Sequence, residues 1–209
     1  MDNAALITTF VTLLIVLDPI ALAPLFLAVT RGMGTARRRT IAIRACLTAG
    51  LLLSLFGAFG ESVLGFIGIS MSAFRIAGGI LLFLTALDML FDRRTKRRED
   101  QVDQAEHEDH NDDPSIFPLA IPLLAGPGAI ATVILLTGEQ TGFAGIAWVL
   151  GIMFFVLSLV LISFLSAGLL ERALGKTGIN ITTRVLGMLL AALAVQFVLD
   201  GLHGFGIGG

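Results

Sequence analysis

The apolar run 4–29 constrains the fold more than any other stretch, because it is long enough to cross a bilayer and is interrupted near its centre. Asp18 stands there and is followed directly by Pro19. An ionisable residue at that depth is costly. Proline leaves a backbone carbonyl without its helical partner, which a membrane tolerates only where the backbone faces protein or water. The pattern predicts either a kinked helix with a buried, protonated Asp18 or a broken helix that lines a polar site.

Six apolar segments of spanning length occur in the chain, which is 56% hydrophobic and only 14% charged. That balance excludes an ordinary soluble domain. We therefore predict an all-α polytopic membrane protein with six transmembrane helices. The predicted spans cover residues 4–29, 41–59, 73–91, 116–137, 146–170 and 185–203.

The two halves of the chain share an internal repeat. The matched pairs are Glu61 with Glu171, Arg75 with Arg184, and Asp18-Pro19 with Gly126-Pro127, at spacings of 110, 109 and 108. A second alignment, of Pro19 and Pro24 with Pro122 and Pro127, stays open. Each copy has three spans, so the second copy must cross the membrane in the inverted direction. Inverted repeats with discontinuous helices are typical of secondary transporters, and we expect spans one and four to be the discontinuous ones.

The basic residues indicate how the chain lies in the membrane. Thirteen of the 14 Lys and Arg fall on one side of the six-span arrangement, and only Arg75 falls on the other. The positive-inside rule makes the basic side cytoplasmic, so we expect a cytoplasmic (inner) membrane protein with both termini outside. Between repeat one (1–91) and repeat two (115–209), the charged segment 92–114 is expected to be a flexible cytoplasmic linker.

The candidate binding site lies where spans one and four break. The half-helices that start after Pro19 and near Gly128 would each point free N–H groups at a carboxylate. Asp18 could then hold an ammonium group, Na⁺ or a proton. The predicted substrate-binding residues are Asp18, Pro19, Ala21, Gly126, Pro127, Gly128, Ala129, Thr132 and Gln196. No catalytic residue and no metal ligand is predicted.

Other polar residues of the spans are assigned supporting roles. Arg75 is predicted to pair with Glu61, and Arg184 with Glu171, as gates or loop anchors. Hydroxyl side chains such as Thr85, Ser158 and Ser163 are expected to bond back to their own helices.

Several of these residues together resemble the MarC-type family. The resemblance is carried by Leu17-Asp18-Pro19, Pro24-Leu25-Phe26, Gly126-Pro127-Gly128, the Gly-Ile-Ser and Gly-Ile-Asn triplets at 68–70 and 178–180, and Ala77-Gly78-Gly79 ahead of Leu87-Asp88-Met89-Leu90. It covers nearly all of the chain outside 92–113. It implies a six-span transporter of small neutral amino acids, such as glycine and alanine, coupled to an ion gradient. Members often carry Gly-Asn where this chain has Ala21 and Leu22, so Leu22 joins the binding candidates and the transported amino acid stays open.

The leading interpretation is therefore a secondary transporter, with a coupling H⁺ or Na⁺ and no cofactor. The expected partners are a small neutral amino acid and the lipid bilayer, with no nucleic acid, and homo-oligomerisation is left open. The alternatives are a membrane scaffold or assembly protein without transport and an exporter of another small metabolite. An enzyme is not expected, because no second acid stands near Asp18 and no Ser–Lys or Ser–His spacing occurs in the spans.

Overall fold

The computed structural model describes residues 3–91, 113–140 and 142–207, and over these ranges the chain is all helical. There it forms seven α-helices and one irregular helical segment, numbered α1 to α8 in chain order. Their bounds are α1 Asn3–Leu17, α2 Pro19–Val29, α3 Thr35–Ile67, α4 Met71–Leu90, α5 Ser115–Leu124 (the irregular segment), α6 Pro127–Gly138, α7 Gly142–Leu165 and α8 Ala167–His203. The predicted linker lies outside the described residues except for its last two positions.

Five stretches of the described chain are long and apolar enough to cross a membrane, and the bent pair α5–α6 makes a sixth if it counts as one span. The all-helical, polytopic class is thus confirmed. Two helices extend beyond the predicted spans. Helix α3 covers more than 41–59, and α8 begins at Ala167 instead of 185 and is kinked at Gly175, which has φ 59° and ψ 176°. At 1.5 Å per residue, the 33 residues of α3 span about 50 Å. The hydrocarbon core is only about 30 Å thick, so the ends of α3 extend out of it.

Helices α4 and α8 pack against each other antiparallel, and glycine permits their close approach. A Cβ atom on Gly79 would lie 2.8 Å from the carbonyl oxygen of Ala194, and one on Gly201 would lie 2.9 Å from that of Ser72. Side chains do not fit at these distances. The two backbones therefore meet directly, as they do at small-residue contacts between membrane helices.

The directions of the helices define two ends of the bundle. Phe26 near the end of α2 stacks on Phe164 near the end of α7, with ring centroids 4.5 Å apart. We call this the Arg44 end, and it also holds the starts of α3, α5 and α8. The opposite end, which we call the Glu139 end, holds the starts of α1, α4 and α7 and the ends of α3, α6 and α8. Both termini of the described chain therefore lie towards the Glu139 end.

The outward surface of the bundle is largely apolar. Leu51 is 72% exposed, Phe66 93% and Trp148 59%. An exposed apolar surface of this extent is expected for helices that face lipid.

Candidate functional site

Span one is interrupted at a single residue, Asp18, between the end of α1 at Leu17 and the start of α2 at Pro19. Asp18 has φ 51° and ψ 68°, in the left-handed region that Asp adopts more readily than most residues. Its N–H still donates to the carbonyl of Leu14, and its own carbonyl accepts from the N–H of Leu22, over 2.9 and 3.2 Å. The interruption is therefore a one-residue kink and not a long unwound stretch.

The carboxyl group of Asp18 is completely buried. Its Oδ1 accepts the N–H of Ala21 over 3.2 Å and caps α2. Its Oδ2 has no hydrogen-bond partner among the described residues, and neither ion pair found in that part of the chain includes Asp18. A buried charge without a partner is strongly unfavourable. Oδ2 is therefore available to a hydrogen-bond donor or a cation, such as an ammonium group.

Ser163 of α7 supports this break from a neighbouring span. Its hydroxyl donates to the carbonyl oxygen of Pro19 over 2.6 Å, and the bond is buried. Thr85 and Ser158 bond to carbonyls of their own helices, as predicted. Ser163 does not, and its role was missed because an all-apolar helix gives no sign of which face meets α2.

The predicted span four corresponds to the bent pair α5–α6, which is interrupted over a longer stretch. Within α5, Phe117 and Ile121 have extended backbone angles, and each precedes a proline in a cis peptide bond. A residue before proline avoids the helical region for steric reasons. Helix α6 then begins at Pro127, bent by 57° from α5.

The start of α6 is not capped by a side chain. Gly126 occupies the N-cap position, and a Cβ atom there would lie 2.6 Å from the carbonyl oxygen of Pro122, so only glycine fits. The N–H groups of the first turn, including those of Gly128 and Ala129, have no acceptor within their own helix. Uncapped N–H groups at the positive end of a helix dipole are able to bind an anion such as a carboxylate.

The two half-helix starts therefore differ, and this corrects one prediction. Both were expected to offer free N–H groups, but at α2 the carboxylate of Asp18 already takes the N–H of Ala21. At α6 the corresponding position is Gly126, which has no side chain. Of these two half-helix starts, the one that lacks a side-chain cap is that of α6.

The space beside the start of α6 is small. A Cβ atom on Gly128 would lie 3.7 Å from Oγ1 of Thr85 and 4.0 Å from Cδ2 of Leu82, both on α4. These are ordinary contact distances, so a methyl group fits there, in contact with α4. Thr132 is buried and its hydroxyl donates to the carbonyl of Gly128 over 2.7 Å, which braces this first turn.

Accessibility differs between the two breaks. Pro19, Ala21 and Leu22 are buried, as is Ala129, whereas Pro127 is exposed. Gly126 and Gly128 are partly exposed. The second break is thus the more accessible of the two.

Gln196 does not lie at either break. It is exposed on α8, and its amide Nε2 donates to Oδ1 of Asp200 one turn further along, over 2.7 Å. Its assignment to the binding site is corrected accordingly. An apolar helix leaves the inward face undetermined from sequence, and the amide is turned outward.

The predicted loop pairs are also different in the structure. Arg75 pairs with Glu139, at 3.4 Å between Nη2 and Oε1, and not with Glu61, which is exposed. Glu171 and Arg184 are exposed, and neither is in an ion pair within the described ranges. The second pair that does form joins two other residues, Arg44 and Asp113, over 3.0 Å.

A bundle of apolar helices with five stretches of spanning length, and a sixth if the bent pair α5–α6 is one span, defines a polytopic integral membrane protein. The chain belongs to the MarC family: the sequence model of the "MarC family integral membrane protein" matches residues 3–205. The resemblance noted in the motifs is thereby confirmed.

Named relatives of similar length come from distant organisms. A "UPF0056 membrane protein" of Archaeoglobus fulgidus is 38% identical over 194 residues, which cover 93% of this chain and 90% of that protein. One from Aquifex aeolicus is 35% identical over 196 residues, 94% of this chain and 91% of its own length. "UPF0056 membrane protein YvbG" of Bacillus subtilis is 34% identical over 204 residues, 95% and 94% of the two chains. No solved structure matches the chain.

Proposed function

We propose that this protein is a secondary transporter of small neutral amino acids such as glycine and alanine, driven by H⁺ or Na⁺ across the cytoplasmic membrane. The observation that carries the proposal is an uncapped helix start at Gly126 in one broken span and a buried, half-unpaired Asp18 carboxyl in the other. A zwitterion needs both groups. Helical N–H groups receive its carboxylate, and Asp18 receives its ammonium group or the coupling cation.

The packing of α1 against α6 supports a shared site. Helices α1 and α6 each run between the Glu139 end of the bundle and one of the two breaks. Their 15 and 12 residues correspond to about 22 and 18 Å at 1.5 Å per residue. The two breaks therefore lie at similar depth, which is the arrangement expected for a midplane site.

The first repeat supplies an internal example of the proposed contact. At the start of α2 a carboxylate, that of Asp18, accepts a first-turn N–H group. The repeat places Gly126 at the equivalent position of α6, 108 residues later. With no side chain there, the carboxylate that completes the second copy would come from the substrate. Because glycine has no side chain to cap the helix, the first-turn N–H groups of α6 would be available to the substrate.

The pattern of helix contacts supports inverted repeats. If the two repeats are exchanged, span one takes the place of span four, span two that of span five, and span three that of span six. The α2–α8 contact then corresponds to α4–α6, and the α2–α7 contact to α3–α6. The exchange turns α1–α7 into α3–α5 and leaves α3–α7 and α4–α8 unchanged, and all of these pairs are packed. The matched pairs support two similar three-span units packed about a pseudo-two-fold axis in the membrane plane. The α1–α6 and α1–α8 contacts have no counterpart of similar extent.

The orientation follows from charge. Arg31, Arg44 and Arg184 lie towards the Arg44 end of the bundle. By the positive-inside rule this end faces the cytoplasm. Both termini and the Glu139 end would then lie outside.

Uptake of labelled glycine and alanine into proteoliposomes under imposed H⁺ or Na⁺ gradients tests the proposal. We expect wild-type protein to concentrate the amino acid, and Asp18→Asn to abolish gradient-driven accumulation while remaining folded. The matched control is Asp113→Asn, which removes an exposed carboxylate at the Arg44 end and should leave uptake unchanged. Accumulation by folded Asp18→Asn protein at the wild-type rate would refute the role of Asp18.

The same assay separates the alternatives. An exporter of another small metabolite would show no accumulation of amino acids in either direction across the membrane. A scaffold without transport would tolerate Asp18→Asn in every respect, because it requires neither a buried acid nor a broken helix.

A further inference from the structure

Arg75 of α4 and Glu139 at the end of α6 form a partly shielded ion pair at the Glu139 end. Nη2 and Oε1 are 3.4 Å apart, and the two side chains are only 20% and 34% exposed. Burial raises the pKa of Glu139, Arg75 lowers it, and Asp200 of α8 raises it. The attraction to Arg75 therefore offsets only part of the cost of burying the carboxylate. The pair joins α4 to the end of α6.

Helix α6 connects this ion pair to the proposed binding site, since it begins next to Gly126 and ends beside Glu139. It packs closely on α4 between these points. A Cβ atom on Gly78 of α4 would lie 2.7 Å from Cδ1 of Leu135, and one on Gly138 would clash with Met71. Movement of α6 away from α4 would uncover the site from the Glu139 end, and such movement requires the ion pair to break.

Among the described residues, the positions that the repeat makes equivalent to Arg75 and Glu139 do not form such a pair. The repeat spacings of 109 and 108 place Arg184 at the position of Arg75 and Arg31 at the position of Glu139. Both are exposed and both are positively charged. Two like charges repel, so the contact of α8 with α2 at the Arg44 end is not reinforced in this way.

We propose that the Arg75–Glu139 ion pair is a latch, which holds α6 on α4 and closes the substrate site towards the Glu139 end. This inference rests on the proposed transport function, because it assigns a gate to that site. Opening towards the Glu139 end requires this ion pair between α4 and α6 to separate. The other ion pair in the described part of the chain, Arg44–Asp113, joins α3 to the residues before α5 instead.

Thiol accessibility tests the latch without relying on transport. The reporter is Thr132→Cys in a Cys46→Ser background, because Thr132 is buried in the first turns of α6 and Cys46 is the chain's single cysteine. A membrane-impermeant maleimide is added to the Glu139 side of protein in liposomes. Glu139→Gln and Arg75→Gln each leave a partly buried group unpaired in the closed state. Loss of about 1 kcal/mol, typical of an ion pair near the surface, corresponds to labelling about fivefold faster.

Two further variants decide whether the effect belongs to the pair. The reversed pair Arg75→Glu/Glu139→Arg should restore slow labelling, because the two opposite charges still attract each other after exchanging positions. Asp113→Asn breaks the other ion pair, at the Arg44 end, and should not change the rate. The latch is overturned if the single variants label at the wild-type rate, if the reversed pair labels as fast as they do, or if Asp113→Asn is equally fast. Faster labelling in a protein that moves no amino acid would support the latch and reject transport.

Discussion

The hydroxyl of Ser163 and the carbonyl oxygen of Pro19, 144 residues apart in the chain, are joined by a buried hydrogen bond of 2.6 Å. The bond attaches the first turn of α2 to α7. Further along the same pair of helices, Phe26 stacks on Phe164 with their rings 8° from parallel. Helices α2 and α7 are thus joined at two levels, and we expect them to move as one unit.

The first prediction concerns this attachment. Ser163→Ala should destabilise the protein by about 1 kcal/mol, the usual net value of a hydrogen bond. A lower Tm of the purified protein in detergent would report the loss. Ser158→Ala is the matched control, because Ser158 is exposed and bonds only within its own helix. Equal Tm values for the two variants would contradict the proposed attachment.

The second prediction concerns the space beside the first turn of α6. Gly128→Ala should fold and retain uptake, because its methyl group would stand 3.7 Å from the nearest atom, Oγ1 of Thr85. Gly128→Leu should block amino acid binding, because the longer side chain would occupy the space between α6 and α4. Binding to detergent-purified, monodisperse protein by calorimetry measures the effect. Unchanged affinity in Gly128→Leu would place the substrate elsewhere.

The third prediction concerns orientation. In a Cys46→Ser background, a cysteine at Phe205 should react with an impermeant reagent applied outside the cell. One at Lys176, near the Arg44 end, should react only after the membrane is opened. Both residues are exposed, so lack of labelling would not arise from burial. The reverse pattern would invert the proposed topology.

The fourth prediction concerns the stability of the start of α5 as a function of pH. The backbone N–H of Ser115, and more weakly the guanidinium of Arg44, hold the pKa of Asp113 below its usual 3.8. Because the folded-state pKa is the lower one, the charged carboxylate stabilises the fold above pH 3.8, and this contribution is lost as the pH falls through the folded value. The Tm difference between wild type and Asp113→Asn should therefore be largest above pH 3.8 and shrink below it. The difference should be small, because the pair is largely exposed. A difference that stays constant down to acid pH would be inconsistent with this role.

The sequence was sufficient to locate the helical breaks because their causes are local. Pro19 and Pro127 each stand at the first position of a half-helix, where the missing N–H group costs nothing. Asp18 and Gly126 precede them, and these are residue types that accept unusual backbone angles or close contacts. Long apolar runs identified the spans for an equally local reason.

The side-chain partners could not be predicted in the same way. Arg75 pairs with Glu139 and not with Glu61 because α4 packs along α6. That packing is a feature of the tertiary structure, and no local sequence pattern predicts it. Gln196 was assigned inward although it faces outward, because α8 is apolar on most sides. A useful signal for Glu139 was its position, since it follows span four on the same side of the membrane as Arg75.

The left-handed conformation of Asp18 has a consequence for which replacements this position can accept. Asparagine shares the tolerance of aspartate for that backbone region, and its side-chain oxygen can still accept the N–H of Ala21. Glutamate keeps the negative charge but lacks that tolerance, and its carboxylate lies one methylene further out. Asp18→Glu, which keeps the charge, should therefore disturb the kink. Asp18→Asn, which removes the charge, should preserve it. At Asp18, the backbone conformation and the charge can therefore be altered by different substitutions.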